Sequence, residues 1–447
     1  MKNSIQFYMV ILIYSIALFF LGYCLDRSDF FIQLTLYMLC FGVSLIIYQN
    51  AEKWGISLKL GLMYAFLLRM ILIISEPVLS DDFYRFIFDG QLIRNGINPY
   101  LYLPQEAFEL LKIGDSEYWN QLLTQMNSSG YYSVYPPLHQ LFFWLAALGG
   151  EHLSMNILIL RLAVLLFEIL NCLLLIQILK QWNLPKSKVL LYAFNPLVIL
   201  ELTGNLHFEG MVLFGLLGMA YFLGKVNRAS IFWTWAVGVK LSPLMLGPIL
   251  LKFFGGKSRL VFLLLSALVI VVLFIPLFFE GAFLNFWQSF RLYQSSFEFN
   301  GSIYYLLRWI SSFWLDYNPI RTLGPVLSML SLGLILWLSL GVKKANLPDL
   351  VQRIVWVYLA YLLFQTTVHP WYLIPAFGLG ILVGDRVFLA WTALVFLSYH
   401  AYREFGVDEK WPILLFEYTI LYSMIFLAFK KVLKQNRKSN FGNIIKN

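Results

Sequence analysis

Hydrophobic positions fill most of this chain in runs close to the roughly 20 residues that a helix needs to cross about 30 Å of hydrocarbon. The clearest run from Ile5 to Cys24, Phe30 to Tyr48, Ile56 to Ile74, Ser154 to Leu179, Leu260 to Phe279, Leu323 to Val342, Val351 to Phe364 and Ile413 to Phe429. Shorter runs lie between them. Only helices or closed barrels satisfy the backbone in lipid, and runs this long predict helices. The expected fold is an all-α polytopic integral membrane protein, with about 11 to 13 transmembrane helices and re-entrant or interfacial helices in the external loops. The first run follows Met-Lys-Asn and ends without a small-x-small cleavage site, so it is read as a retained helix. Ile231 to Leu251 is interrupted by 238-GVKLSP-243 and predicts a broken hairpin, tolerated at membrane depth where it lines a cavity.

Composition agrees. Of 447 residues, 60% are apolar, 18% aromatic and 13% charged, whereas soluble domains carry roughly 25% charged residues. The mean hydropathy is +0.71. Cys24, Cys40 and Cys172 are scattered in or beside apolar runs and suggest neither a disulfide framework nor a metal cluster.

The net charge of +9 does not point to nucleic acid, because its distribution follows the membrane. Lys180, Lys186 and Lys188 share one short loop, Lys225 and Arg228 another, Lys252, Lys257 and Arg259 a third, Lys343 and Lys344 a fourth. The tail, 431–447, is also basic. The positive-inside rule makes these the cytoplasmic segments of a cell-membrane protein. With the N-terminus inside, three crossings put a large loop, 75–135, on the outer face, and it carries eight acidic and three basic residues. For the later basic loops to stay inside, Pro136 to Gly150 must dip in and return or lie along the interface. The whole chain, 1–447, reads as a single transmembrane domain.

Polar residues in such a chain are expensive and therefore informative. In 80-SDDFYRFIFDG-90, Ser80 is a plausible N-cap, with Asp81 and Asp82 in the first turn where the helix dipole favours carboxylates. Helical spacing places Asp82, Arg85 and Asp89 on one face. At the outer boundary of a crossing, a partly desolvated carboxylate can serve as a general base. The turn-rich 96-GINPYLYLP-104 offers Asn98 and Tyr100, and 131-YYSVYPPLHQ-140 offers Tyr135. A second cluster, 195-NPLVILELTGNLHFEG-210, gathers Asn195, Glu201, Asn205, His207 and Glu209 at the junction of two apolar runs. Lys240 lies too deep in the broken hairpin to snorkel comfortably and calls for an anionic partner, most naturally a lipid phosphate. His369, Trp371 and Tyr372, in 367-TVHPWYLIP-375, suit interface anchoring and ligand contact equally.

Two patterns fail. Gly255-Gly256-Lys257-Ser258 lacks the first glycine of a P-loop, because position 251 is Leu, and Gly378-Leu379-Gly380 follows no strand. The energy for any chemistry should therefore arrive with a membrane-borne substrate.

The quoted motifs, together with 369-HPWYL-373, resemble the polytopic glycosyltransferases of the GT-C superfamily, in particular the mannosyltransferase-like members that use a polyprenyl-phosphate-linked sugar. The resemblance runs from Ser80 to Leu373. It implies inverting transfer on the outer face, with an acid of the first large external loop as general base; that role falls to Asp82, with Asp81 as neighbour. Two crossings before that loop depart from the simplest layout of the family, in which it follows the first helix.

The physics is compatible. A base takes the proton of an acceptor hydroxyl as it attacks the anomeric carbon opposite the leaving phosphate. Cations then meet the phosphate charge, with Lys240 and Arg85 placed for this and Arg291 or Arg308 as helpers. His207 could donate to the phosphate or to a sugar hydroxyl. The acceptor expected is a lipid-linked saccharide or surface glycan. Asp81, Asp82 and Asp89 could also hold Mg2+ or Mn2+ through oxygen ligands, with water or phosphate completing the shell. A transporter or flippase of a lipid-linked saccharide is the rival from another class, and a polymerase or ligase of surface glycans a third reading. No internal repeat of the kind common in carriers is visible.

Overall fold

The structure is a computed structural model that describes residues 2–111, 116–342, 346–402 and 406–444, with side chains described except at 2–4, 293–294 and 431–444. Lys343, Lys344, part of the large loop and the side chains of the basic tail lie outside that description.

The all-helical polytopic expectation holds. Six helices among the described residues are long and apolar enough to cross a membrane: Ile5–Tyr23, Phe30–Asn50, Leu153–Gln181, Gly256–Leu273, Ile320–Leu340 and Trp411–Lys430. Pro196–Gly204 and Glu209–Tyr221 make a seventh if a pair bent by 117° is one span. The expected 11 to 13 crossings would have to draw on the shorter apolar helices as well. The other apolar runs fold as shorter helices: Leu58–Ile71 has 14 residues and Leu347–Leu363 has 17. Ser242–Phe253, Pro370–Val383 and Val387–Ala401 are shorter still than a full span and each begins or breaks at polar or proline-bearing sequence.

Two breaks shape the interior. At the first, Asn195 caps the segment by accepting from the N–H groups of Leu197 and Val198, and Pro196 occupies the first helical position, where its missing N–H costs nothing. The turn then widens to a π-helix, Ile199–Gly204, and Leu206 takes a left-handed φ of 64°. A non-glycine residue held there is strained and must be fixed by its surroundings. At the second break, the helix Val226–Val239 ends at Lys240, whose backbone is extended, and Pro243 opens the next short turn.

The large loop is itself helical, with Asp82–Arg94, Pro104–Leu111 and Glu117–Gln125. Asp82–Arg94 packs on Pro137–Ala147 so closely that Gly90 has no room for a Cβ: one built there would lie 2.0 Å from the Phe143 carbonyl oxygen. The segment expected to dip or lie flat, Pro136 to Gly150, is that short second helix, started by Pro137.

Chain direction separates the two ends of the bundle. Glu209–Tyr221, 13 residues long, runs from Glu209 to the turn holding Lys225, a length of about 20 Å. Val226–Val239 returns to Lys240. Glu209 and Lys240 therefore share one end, and Lys225 lies at the other.

Candidate active site

The end that holds Glu209 and Lys240 encloses a cavity of about 830 Å³. Its walls come from the turn before Asp82–Arg94, the non-helical segment 127–136, both helix breaks, the helix Ala282–Ser296, the segments around 297–299 and 358–375, and Tyr402, Gly406 and Val407. Asp81, Asp82, Arg85, Tyr135, His207, Glu209, Lys240, His369, Trp371 and Tyr372 all line it, so residues far apart in sequence converge as the motifs required.

The three acids of the first motif have three different surroundings. Asp81 receives two hydrogen bonds from Arg27, Nη1 to Oδ2 at 2.8 Å and Nη2 to Oδ1 at 2.5 Å. Asp82 is the first helical residue, and Asp81, rather than Ser80, occupies the cap position. The Ser80 hydroxyl still accepts from the Asp82 N–H at 3.3 Å. The half-buried Asp82 carboxylate accepts from Asn127 Nδ2 at 2.9 Å and, among the described residues, from no cation.

Asp89 is fully buried and does not reach the cavity. It accepts from Arg85 Nε at 2.7 Å, Ser133 Oγ at 2.6 Å and Gln140 Nε2 at 2.8 Å. Arg85 Nη1 also donates to the carbonyls of Ser128 and Tyr131, at 2.8 and 2.9 Å. The shared face of Asp82, Arg85 and Asp89 is therefore divided: its lower two members bind the helix to 128–140, and Asp82 is left to the cavity. The same engagement answers the metal question on the donors present. Asp81 commits both oxygens to Arg27, Asp89 is enclosed by donors, and no group of three or more His, Cys, Asp or Glu among the described residues is placed to hold a metal ion.

Asn98, Tyr100 and Asn205 likewise support the wall without forming it. Asn98 Nδ2 donates to the Pro276 carbonyl at 3.2 Å, and the buried Tyr100 hydroxyl donates to the Tyr135 carbonyl at 2.5 Å. Asn205 Oδ1 accepts from the Leu79 N–H at 3.2 Å, which ties the bent pair to the turn that carries Asp81 and Asp82.

Lys240 has a protein partner in place of the expected lipid phosphate. Its ammonium forms an ion pair with Glu209, and it sits 4.0 Å from the centre of the Tyr372 ring. Burial of Glu209 explains why the pair is needed: an ionised carboxylate in such a site is costly without a cation. The lysine side chain remains 33% exposed to the cavity, so it can still meet a second anion. Arg308, expected as a helper, is engaged with Glu298 at 2.5 Å.

One wall is a column of stacked rings. His207 lies on Trp371 with centroids 3.5 Å apart, Trp371 on His369 at 4.4 Å, His369 on Phe299 at 5.0 Å and Phe299 on Tyr402 at 5.9 Å. Arg27 covers the last ring at 5.8 Å. Burial, followed by the charges of His207 and Lys240, holds the His369 imidazole down to about 3, so that ring is neutral at physiological pH. Flat apolar faces of this kind suit both a sugar ring and a prenyl chain.

Arg27, Asn127, Phe299, Tyr358 and Tyr402 are cavity residues that sequence reasoning did not select. Arg27 stands in Asp26-Arg27-Ser28-Asp29, which reads as an ordinary polar link between two spans. The others sit in loops or apolar runs without distinguishing neighbours.

Residues 33–254, just under half of the chain, match the model of a family described as alpha-(1->6)-mannopyranosyltransferase, N-terminal domain. Those residues belong to this family of GT-C type mannosyltransferases, and the protein is a glycosyltransferase. The matched part includes Asp81, Asp82, His207, Glu209 and Lys240, while Arg27, His369, Trp371 and Tyr372 lie outside it. No curated protein and no solved structure matches the chain.

Proposed function

We propose that the protein transfers a mannosyl unit from a polyprenyl-phosphate donor to a hydroxyl of a lipid-linked saccharide or surface glycan, with inversion and with Asp82 as general base. The observation that carries this reading is the half-buried Asp82 carboxylate, which has no cation partner among the described residues and shares a cavity with the Lys240 ammonium. Asp82 takes the proton of the acceptor hydroxyl as its oxygen attacks the anomeric carbon. On the opposite side the carbon–oxygen bond to phosphate breaks, and Lys240 meets the charge that develops there. Asp81 is suited to a different task, because Arg27 already neutralises it; the pair fixes the turn that aims Asp82. The bond energy comes with the donor, in keeping with the lack of a nucleotide motif. The cavity end lies away from the turn at Lys225, which supports reading it, under the positive-inside rule, as the outer face of the cell membrane.

The test uses the purified protein in liposomes with radiolabelled polyprenyl phosphomannose and a mannosylated lipid acceptor. Label appearing in the acceptor lipid supports the reading. Label that crosses the bilayer still attached to its polyprenyl phosphate identifies a carrier, and no movement of label refutes both. In the same assay Lys240→Gln raises the donor KM about tenfold or more, the scale of a lost hydrogen bond to a charged group, and leaves the acceptor KM unchanged. An unchanged donor KM would remove Lys240 from the phosphate site.

A further inference from the structure

The bend at 204–209 contains a device that transfer by Asp82 and Lys240 does not use. Glu201 is fully buried in the π-turn. Its Oε1 accepts from the Tyr399 hydroxyl at 2.6 Å, and its Oε2 accepts from Asn205 Nδ2 at 3.2 Å. That same oxygen lies 3.1 Å from His207 Nδ1, as does the Glu201 carbonyl. Nδ1 thus faces acceptors only, which assigns a proton to it. The ring is clamped face-on by Trp371 and cannot turn. Its other nitrogen, Nε2, is buried, belongs to a residue of the cavity wall, and has no hydrogen-bond partner among the described residues.

A buried polar atom left unpaired is costly, and a residue shaped to carry that cost is expected to meet a ligand. The strained backbone of Leu206, immediately before His207, points the same way. A carboxylate behind an imidazole orients it and balances the charge of the imidazolium, as in acid–base dyads on unrelated folds. Glu209 and Lys240, two and thirty-three positions along the chain, line the same cavity, so the ligand atom that His207 meets lies in the region proposed for phosphate.

We infer that His207, in its imidazolium form, donates from Nε2 to the departing phosphate oxygen, and that Glu201 is the positioning residue that holds it there. This rests on the reading of the cavity as a polyprenyl-phosphate-dependent transfer site. The step balances without a proton from the dyad. The anomeric carbon loses its bond to the phosphate oxygen, which keeps the electron pair. The acceptor oxygen forms the new bond, its proton passes to Asp82, and His207 contributes a charge-assisted hydrogen bond. Glu201 touches neither substrate and acts only through the ring.

Two measurements decide it. Binding of farnesyl phosphate to the purified full chain, followed by calorimetry, reports on the phosphate site without the sugar. His207→Gln is expected to weaken it about tenfold, the scale of one charged hydrogen bond, while farnesol binding is unmoved. In the transfer assay His207→Gln lowers kcat about 100-fold, as removal of one preorganised donor does, with the acceptor KM unchanged. Glu201→Gln keeps the bond from Tyr399 but removes the carboxylate that balances the imidazolium; the neutral ring keeps its proton on Nδ1 and does not donate from Nε2, and kcat falls about tenfold. Because Glu201 acts through His207, the variant carrying both changes is no slower than His207→Gln alone.

Losses that multiply in the double variant, or farnesyl phosphate binding equal to wild type in His207→Gln, overturn the inference. Failure of the underlying reading looks different: wild type then transfers no mannose, while the farnesyl phosphate titration still decides whether His207 holds a phosphate.

Discussion

Asp82→Asn lowers transfer by about three orders of magnitude, within the 10²–10⁴-fold range of general base catalysis, and leaves donor binding intact. The substitution is nearly isosteric, and an amide oxygen can still accept from Asn127, so the turn has no reason to move. What it loses is the ability to take a proton. Asp81→Asn is expected to be milder, about tenfold, because its effect is to release Arg27 and loosen the turn. Initial rates of mannose transfer for the two variants, measured side by side, give the order. Full activity in Asp82→Asn, or a deeper loss in Asp81→Asn, would move the base from one residue to the other or elsewhere.

Gly90→Ala is expected to leave little folded protein. The added Cβ would lie 2.0 Å from the Phe143 oxygen and 2.4 Å from its carbonyl carbon, and both are backbone atoms that no rotamer change can remove. The helices Asp82–Arg94 and Pro137–Ala147 would have to separate by more than an ångström. That separation pulls Asp89 from Gln140, which lies on the second helix, so an overpacking cost at or above the usual 1–3 kcal/mol or so is joined by exposure of a buried ion-pair network. Gly130→Ala, where a Cβ meets nothing within 4 Å, is the matched control. Thermal unfolding and size-exclusion profiles in detergent compare the two, and equal melting temperatures would show that the helices can yield.

Much of this was legible in the sequence, and what was not has physical causes. Runs such as Phe30 to Tyr48 and Ser154 to Leu179 announced spans because length and hydropathy alone decide whether a helix is stable in lipid. Fewer helices than apolar runs reach full span length because hydropathy does not register bends. Pro196, Leu206 and Pro243 break apolar stretches into shorter helices, and those breaks bring polar atoms to the cavity.

Local spacing placed Asp82, Arg85 and Asp89 on one side of a helix. It could not reveal that Ser133 and Gln140 would draw Asp89 into the interior, because that depends on a second helix docking through Gly90. Lys240 was recognisable as a charge in need of a partner. That the partner is Glu209, 31 positions away, follows only from the fold. Arg27 was the least legible, since an arginine between two spans is ordinary until its contact with Asp81 is known.

That contact also bears on how the molecule sits across a membrane. Arg27 lies four residues beyond Lys2–Tyr23, a helix of 22 residues, or about 33 Å. Its guanidinium reaches Asp81 beside the cavity, so the Lys2 end of that helix points away from the cavity, and under the proposed reading it is expected in the opposite compartment. A reporter enzyme or fluorophore fused ahead of the first residue is therefore shielded from any impermeant quencher or protease added on the side where the cavity opens. A cysteine label introduced at Asn127 is open to it, and the pair of measurements reads the orientation of the transfer site in an intact membrane.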